Sequence, residues 1–223
     1  MSAFNFHHND FFGGEKPKPR TQYGEHNLGA TIFLDCFKEV EDLAHAVMIN
    51  SPTKTTDLCQ SIAFALLQGR ASREPCPHFR ANYRFYANQV WCNRSKHVAV
   101  LRTENQWNDL GGLESLLGGS SRRFLKKERR GVKFTHGSEA FALKSGVSSQ
   151  GAVALCCIIQ EDIQVYHDLI LSAVNLKYRE KVDTLRHILV HCGVDSSLSS
   201  KEVLEWTWGH WYDKICSNII KQT

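Results

Sequence analysis

No apolar run in the sequence approaches the roughly 18 residues needed to cross a bilayer, and no signal peptide opens its 223 residues. The expectation is a chain with no membrane span, either soluble in its own right or cut from something longer. None of the eight cysteines (Cys36, Cys59, Cys76, Cys92, Cys156, Cys157, Cys192, Cys216) forms a CxxC pair, which argues against a zinc ribbon or a thioredoxin-like motif. His7 and His8 are adjacent, so they do not face the same way, and no third ligand stands at a suitable spacing; no metal is expected. A glycine-rich turn between a strand and a helix, the usual cradle for a nucleotide phosphate, is missing. Repeats and low-complexity tracts are absent, and convincing strands number only one or two.

What is present is ordinary for a globular chain: 42% hydrophobic and 22% charged residues, with a net charge of +4 when His is neutral. A single domain over residues 1–223 is expected, with residues 1–30 irregular. Helical spacing of apolar residues predicts helices over Asp35–Asn50, Thr56–Gln68 and Gly151 to about Val174, and from about Arg179 to Cys192 with Gly193 as its stop. The pattern Ser199-x-x-Glu202 is a capping box that opens a last helix carrying Trp206, Trp208, Trp211 and Tyr212. Most cysteines read as buried free thiols. The exception is Cys156 with Cys192, which lie on consecutive helices expected to run antiparallel. Asn93-Arg94-Ser95 is a glycosylation sequon.

The chain is organised around His97–Gly119. Val98–Leu101 is a continuous apolar run that reads as a strand buried on both faces. Arg102, Thr103 and Glu104 follow it. Trp107, Leu110, Leu113, Leu116 and Leu117 then recur at helical spacing until Gly118-Gly119. Strand, polar turn and helix make half of a βαβ unit, and ligands in open α/β sheets sit at that carboxyl end. Arg102 offers a fork of donors suited to sulfate, phosphate or carboxylate. Equally, it pairs with Glu104 or Asp109, which then serve only to cap the helix. His78–Trp91 sets Phe79, Tyr83, Tyr86 and Val90 at helical spacing, with His78, Asn82 and Arg84 as polar neighbours.

LRTENQWNDLGGLESLLGG resembles the strand-and-helix unit of carbohydrate-type sulfotransferases, in particular a sulfotransferase-like group of algae and fungi with the pattern RTE-x-x-W-x-D. Three further stretches are similar in the same order: SAFNFHHN at the start, HFRANYRFYA at His78–Ala87, and Ser148–Leu176. The resemblance implies a mainly α chain with one or two strands, forming the C-terminal portion of a three-layer α/β, P-loop-like domain. It also implies transfer of a sulfuryl group from the donor PAPS to a hydroxyl, with a carbohydrate or other anionic acceptor. Ser2 matches the serine that grips the donor's 3′-phosphate, while the arginine expected before it would precede Met1. His78, Asn82, Arg84 and Arg102 are the implied acceptor-side residues, and no residue can be assigned as catalytic base. Many family members reside in the Golgi. Without the phosphosulfate loop, residues 1–223 alone are expected to be inactive.

Seven cations crowd the fourteen residues Ser120–Lys133, among them Arg122, Arg123, Lys126 and Lys127. This basic loop suits an anionic polysaccharide or the donor's phosphates. Only Phe124 interrupts its charges with an aromatic ring, so there is no stacking platform for nucleic acid. A different class therefore stands beside the enzyme: a non-catalytic helical module that binds an anionic partner through this loop.

Overall fold

A computed structural model of the chain describes residues 35–52, 54–68, 98–102, 105–119 and 147–220. Outside them lie Ser2 with the first 30 residues, the His78–Trp91 segment with His78, Asn82 and Arg84, and the 120–133 loop with Arg122, Arg123, Lys126 and Lys127. Thr103, Glu104, Cys76, Cys92 and the sequon lie outside them too.

Capping decides where the helices begin. The Asp42 carboxylate accepts from the backbone N–H groups of Lys38 and Glu39 at 2.9 and 3.0 Å, so α1 spans only Val40–Val47 rather than the expected Asp35–Asn50. Its buried face is Val40, Leu43, Ala44, Ala46 and Val47. Thr56 accepts from Cys59 N–H and opens α2 (Asp57–Leu67), close to the expected bounds. Helix α3 (Gln106–Leu116) ends as its glycines require. Gly118 takes a φ of 80°, and the N–H groups of Gly118 and Gly119 close on the carbonyls of Ser115 and Glu114.

The long helix expected from Gly151 is two helices, α4 (Ser149–Ile158) and α5 (Gln160–Ser172), separated by a turn at Ile159. The β-branched pair Ile158-Ile159 weakens the helix there, and Glu161 and Asp162 supply an acidic first turn for the next one. Helix α6 (Tyr178–His191) ends on Gly193, again left-handed at φ 78°. The last expected helix is also divided. Ser199 and Glu202 make the predicted capping box for α7 (Ser200–Leu204), but the chain then leaves helical geometry and restarts as α8 (Trp208–Ile215), followed by a 3-10 turn at Cys216–Asn218. Trp208 and Trp211 are buried edge-to-face, with centroids 5.5 Å apart, while Trp206 and Tyr212 are half-buried.

Helix α4 lies at the centre, packed on α1, α2, α5 and α6, and α5 carries α8. The core runs through Phe37, Val47, Leu155, Ile170, Leu185 and Trp208. The C-terminal end returns to the start: Met48 and Ile220 form an antiparallel bridge, with Ile49 N–H donating to the Ile219 carbonyl at 2.9 Å.

The mainly helical expectation holds among the described residues, but the expected strand does not form there. Val98 makes a single parallel bridge with Ala173. The run is also not buried on both faces: Ala99 is exposed and Leu101 is 45% exposed, while Val100 packs on the core and Arg102 is buried. Alternation along an extended chain puts Val98, Val100 and Arg102 on one side and Ala99 and Leu101 on the other. The inward side includes a cation, which an apolar count of the run overlooks.

The cysteines are corrected more sharply. Cys156–Cys192 is bonded as expected, but so are Cys36–Cys59 and Cys157–Cys216, so every cysteine among the described residues is in a disulfide. Adjacent residues Cys156 and Cys157 thus tie α4 both to the end of α6 and to the C-terminal 3-10 turn.

Candidate functional site

Arg102 is the one sequence-designated site residue among the described residues, and it sits at a junction of four segments. Its Nε donates to Asp109 Oδ2 at 2.9 Å and its Nη2 to Oδ1 at 2.5 Å, a two-pronged ion pair. Its backbone N–H donates to Oδ2 as well, at 2.7 Å, and its Nη1 to Thr184 Oγ1 of α6 at 2.6 Å. Arg102 is 5% exposed and Asp109 1%. Of the two partners read from sequence, Asp109 is therefore engaged, and it sits on the first turn of α3, holding the incoming chain instead of capping the helix.

Asn175 completes the junction. It follows α5, and its side-chain amide copies a neighbouring strand: Oδ1 accepts from Val100 N–H at 2.9 Å while Nδ2 donates to the Val100 carbonyl at 2.8 Å. Nδ2 also reaches the Asp109 carbonyl at 3.3 Å. Helix α3 lies so close to this linker that a Cβ at Gly112 would stand 2.7 Å from the Asn175 carbonyl oxygen, leaving room for glycine alone. Neither Asn175 nor Thr184 was visible in the sequence. Each acts as a single polar group at a point where distant segments meet, and periodicity carries no signal for that.

A second polar junction joins α1 to α4. Glu41 accepts from Ser148 N–H at 2.9 Å and Ser148 Oγ–H at 2.5 Å, and its Oε1 lies 3.1 Å from His45 Nε2. Partial burial pushes the Glu41 carboxyl up, but the hydrogen bonds from Ser148 and the charge of His45 outweigh it, and the net shift is downward. On α5, His167 is buried, with Nδ1 3.7 Å from Asp168 Oδ1 and neither ring nitrogen in a hydrogen bond. Burial pulls its pKa down, against the opposing pull of Asp168 and of the Val203 backbone.

The described residues do not fit the phosphosulfate end of PAPS. The turn from Leu101 into α3 has no glycine-rich cradle, its N-cap Asn105 makes no side-chain cap bond, and the cation beside it is committed to Asp109 and Thr184. Among the described residues no group of three or more His, Cys, Asp or Glu is arranged to hold a metal ion, and no helix is long and apolar enough to cross a membrane. No protein-family model, curated protein or solved structure matches the chain.

Proposed function

We propose that the chain is a sulfotransferase-like domain that builds the acceptor side and frame of a site for sulfuryl transfer from PAPS to a carbohydrate hydroxyl, and that residues 1–223 alone do not catalyse the transfer. The observation that carries this reading is the junction at Arg102. Two stretches of the resemblance that are far apart in sequence, LRTENQWND and Ser148–Leu176, meet there through Asp109 and Asn175. Within RTE-x-x-W-x-D, Arg102 and Asp109 thus have a physical reason to occur together. In this reading Arg102 acts from beneath, holding the turn that leads to Thr103 and Glu104, and His78, Asn82 and Arg84 face the acceptor. Three disulfides add a second line of support, because such bonds belong to oxidising compartments, as expected of a Golgi-type family.

Calorimetry with PAP, the desulfated donor, tests the reading. Residues 1–223 should not bind PAP, since Ser2 by itself offers one neutral hydroxyl worth about 1 kcal/mol against roughly 8 kcal/mol for a micromolar site. A fusion that adds a family phosphosulfate loop and arginine upstream should bind it, and Ser2→Ala should weaken that binding. A fusion that folds but ignores PAP refutes the sulfotransferase reading; tight binding by 1–223 alone places the donor site elsewhere in the chain.

The seven cations of Ser120–Lys133 favour one second reading, a polyanion-binding module without catalysis. Retention on heparin should then fall steeply with salt and vanish on charge reversal at Arg122, Arg123, Lys126 and Lys127. Unchanged retention would make the loop merely solvated.

A further inference from the structure

Two exposed histidines, His187 and His191, stand one turn apart at the C-terminal end of α6. Adjacent histidines such as His7 and His8 diverge, but side chains four apart on a helix share one face. The two rings accordingly meet, with centres 4.3 Å apart and planes tilted by 47°. His191 Nδ1 lies 2.8 Å from the His187 carbonyl oxygen. A carbonyl only accepts, so Nδ1 carries the proton and Nε2 keeps its lone pair. A ligating histidine is commonly held in this way, through a hydrogen bond from its other nitrogen to a backbone carbonyl. No further hydrogen bond engages either ring among the described residues. The turn that carries them is fixed from behind. Cys192 is bonded to Cys156, and the N–H groups of Gly193 and Val194 close on the carbonyls of Val190 and Leu189.

We propose that His187 and His191 form a two-point chelate for a divalent late transition metal ion, with cupric ion held most tightly. Imidazole suits copper, nickel and zinc, and for a given set of ligands affinity peaks at copper. Two imidazoles bound side by side, each about 2.0–2.1 Å from one ion, place their ring centres roughly 4.5 Å apart. The observed 4.3 Å is close to that spacing, so little rearrangement is needed to seat the ion. The position also favours a cation, because the C-terminal end of a helix carries partial negative charge. Asp183 stands one turn before His187, but its carboxylate pairs with Arg179 at 3.6 Å, and the described residues offer no cluster of three ligands. Water therefore fills the remaining positions, and the ion is exchangeable, unlike a closed structural zinc. This inference stands on the geometry of α6 and is independent of the proposed sulfuryl chemistry.

Calorimetry of the whole, untagged chain with cupric, nickel, zinc and magnesium chlorides tests it, together with the imidazole NMR signals during the cupric titration. The tightest site should take one cupric ion per chain and hold nickel and zinc more weakly, while magnesium should not compete. Paramagnetic broadening should begin at His187 and His191. His187→Gln and His191→Gln should each weaken cupric binding about tenfold or more, because either change leaves one imidazole where two acted together. A His7→Gln, His8→Gln chain should keep the site intact. Both α6 side chains are exposed, so the variants should retain their helical circular dichroism; if one does not, the broadening in the unaltered chain decides. Absence of cupric binding, affinity unmoved by either substitution in α6, or broadening that begins at other histidines would each overturn the proposal.

Discussion

Replacing Asp109 with alanine should be among the most damaging single substitutions in the described residues. The carboxylate accepts three hydrogen bonds from Arg102, one from the backbone N–H and two from the guanidinium, at 2.7, 2.9 and 2.5 Å. With Asp109 gone, a guanidinium only 5% exposed loses the carboxylate that accepts two of its hydrogen bonds. Breaking a buried pair from one side costs about 3–5 kcal/mol, because the remaining charge is stranded in a poor solvent. That is a large share of a typical 5–15 kcal/mol stability and corresponds to a fall in melting temperature of roughly 10 °C in a chain of this size. The stranded charge, more than the lost attraction, makes the loss. Arg102→Met combined with Asp109→Leu should therefore recover about half or more of it, a coupling well above the few tenths of a kcal/mol found for independent sites. Urea unfolding of the wild type, both single variants and the double variant closes the cycle. If Asp109→Ala costs less than about 1 kcal/mol, or the double variant is simply the sum of the singles, the pair does not hold the junction as argued.

Two other expectations follow from the same framework. Cys157–Cys216 closes 59 residues of sequence, a loop whose chain entropy is worth about 4 kcal/mol; the Cys157→Ala, Cys216→Ala chain should melt well below the wild type, and equal melting curves would deny the bond a structural role. His167 is buried and its pKa is lowered chiefly by that burial. The unfolded chain therefore takes up a proton near the ordinary value of about 6.5 while the folded chain does not. Stability is then level above that pH and falls as pH drops below it toward the folded pKa. Urea midpoints between neutral and mildly acidic pH should show this slope, and His167→Phe should flatten it; an identical slope in the variant would assign the acid sensitivity elsewhere.

Local chemistry was legible without any structure. Ser199 and Glu202 announce a helix start, Gly118 and Gly193 announce helix ends, and the inward stripes of α1 and α2 were readable from spacing, because caps and amphipathic faces depend on residues within one or two turns of each other. Even the Cys156–Cys192 bond was within reach, since antiparallel neighbours in sequence are neighbours in space. Only tertiary structure could decide the rest. Cys36–Cys59 and Cys157–Cys216 depend on how non-periodic segments return to the body. The Val98–Leu101 run shows the division most plainly. Its apolar residues implied a strand covered on all sides, yet a strand needs a neighbour, and hydrogen-bonding neighbours are not written in the run itself. Asn175, 75 residues beyond Val100, fills that place with a side-chain amide.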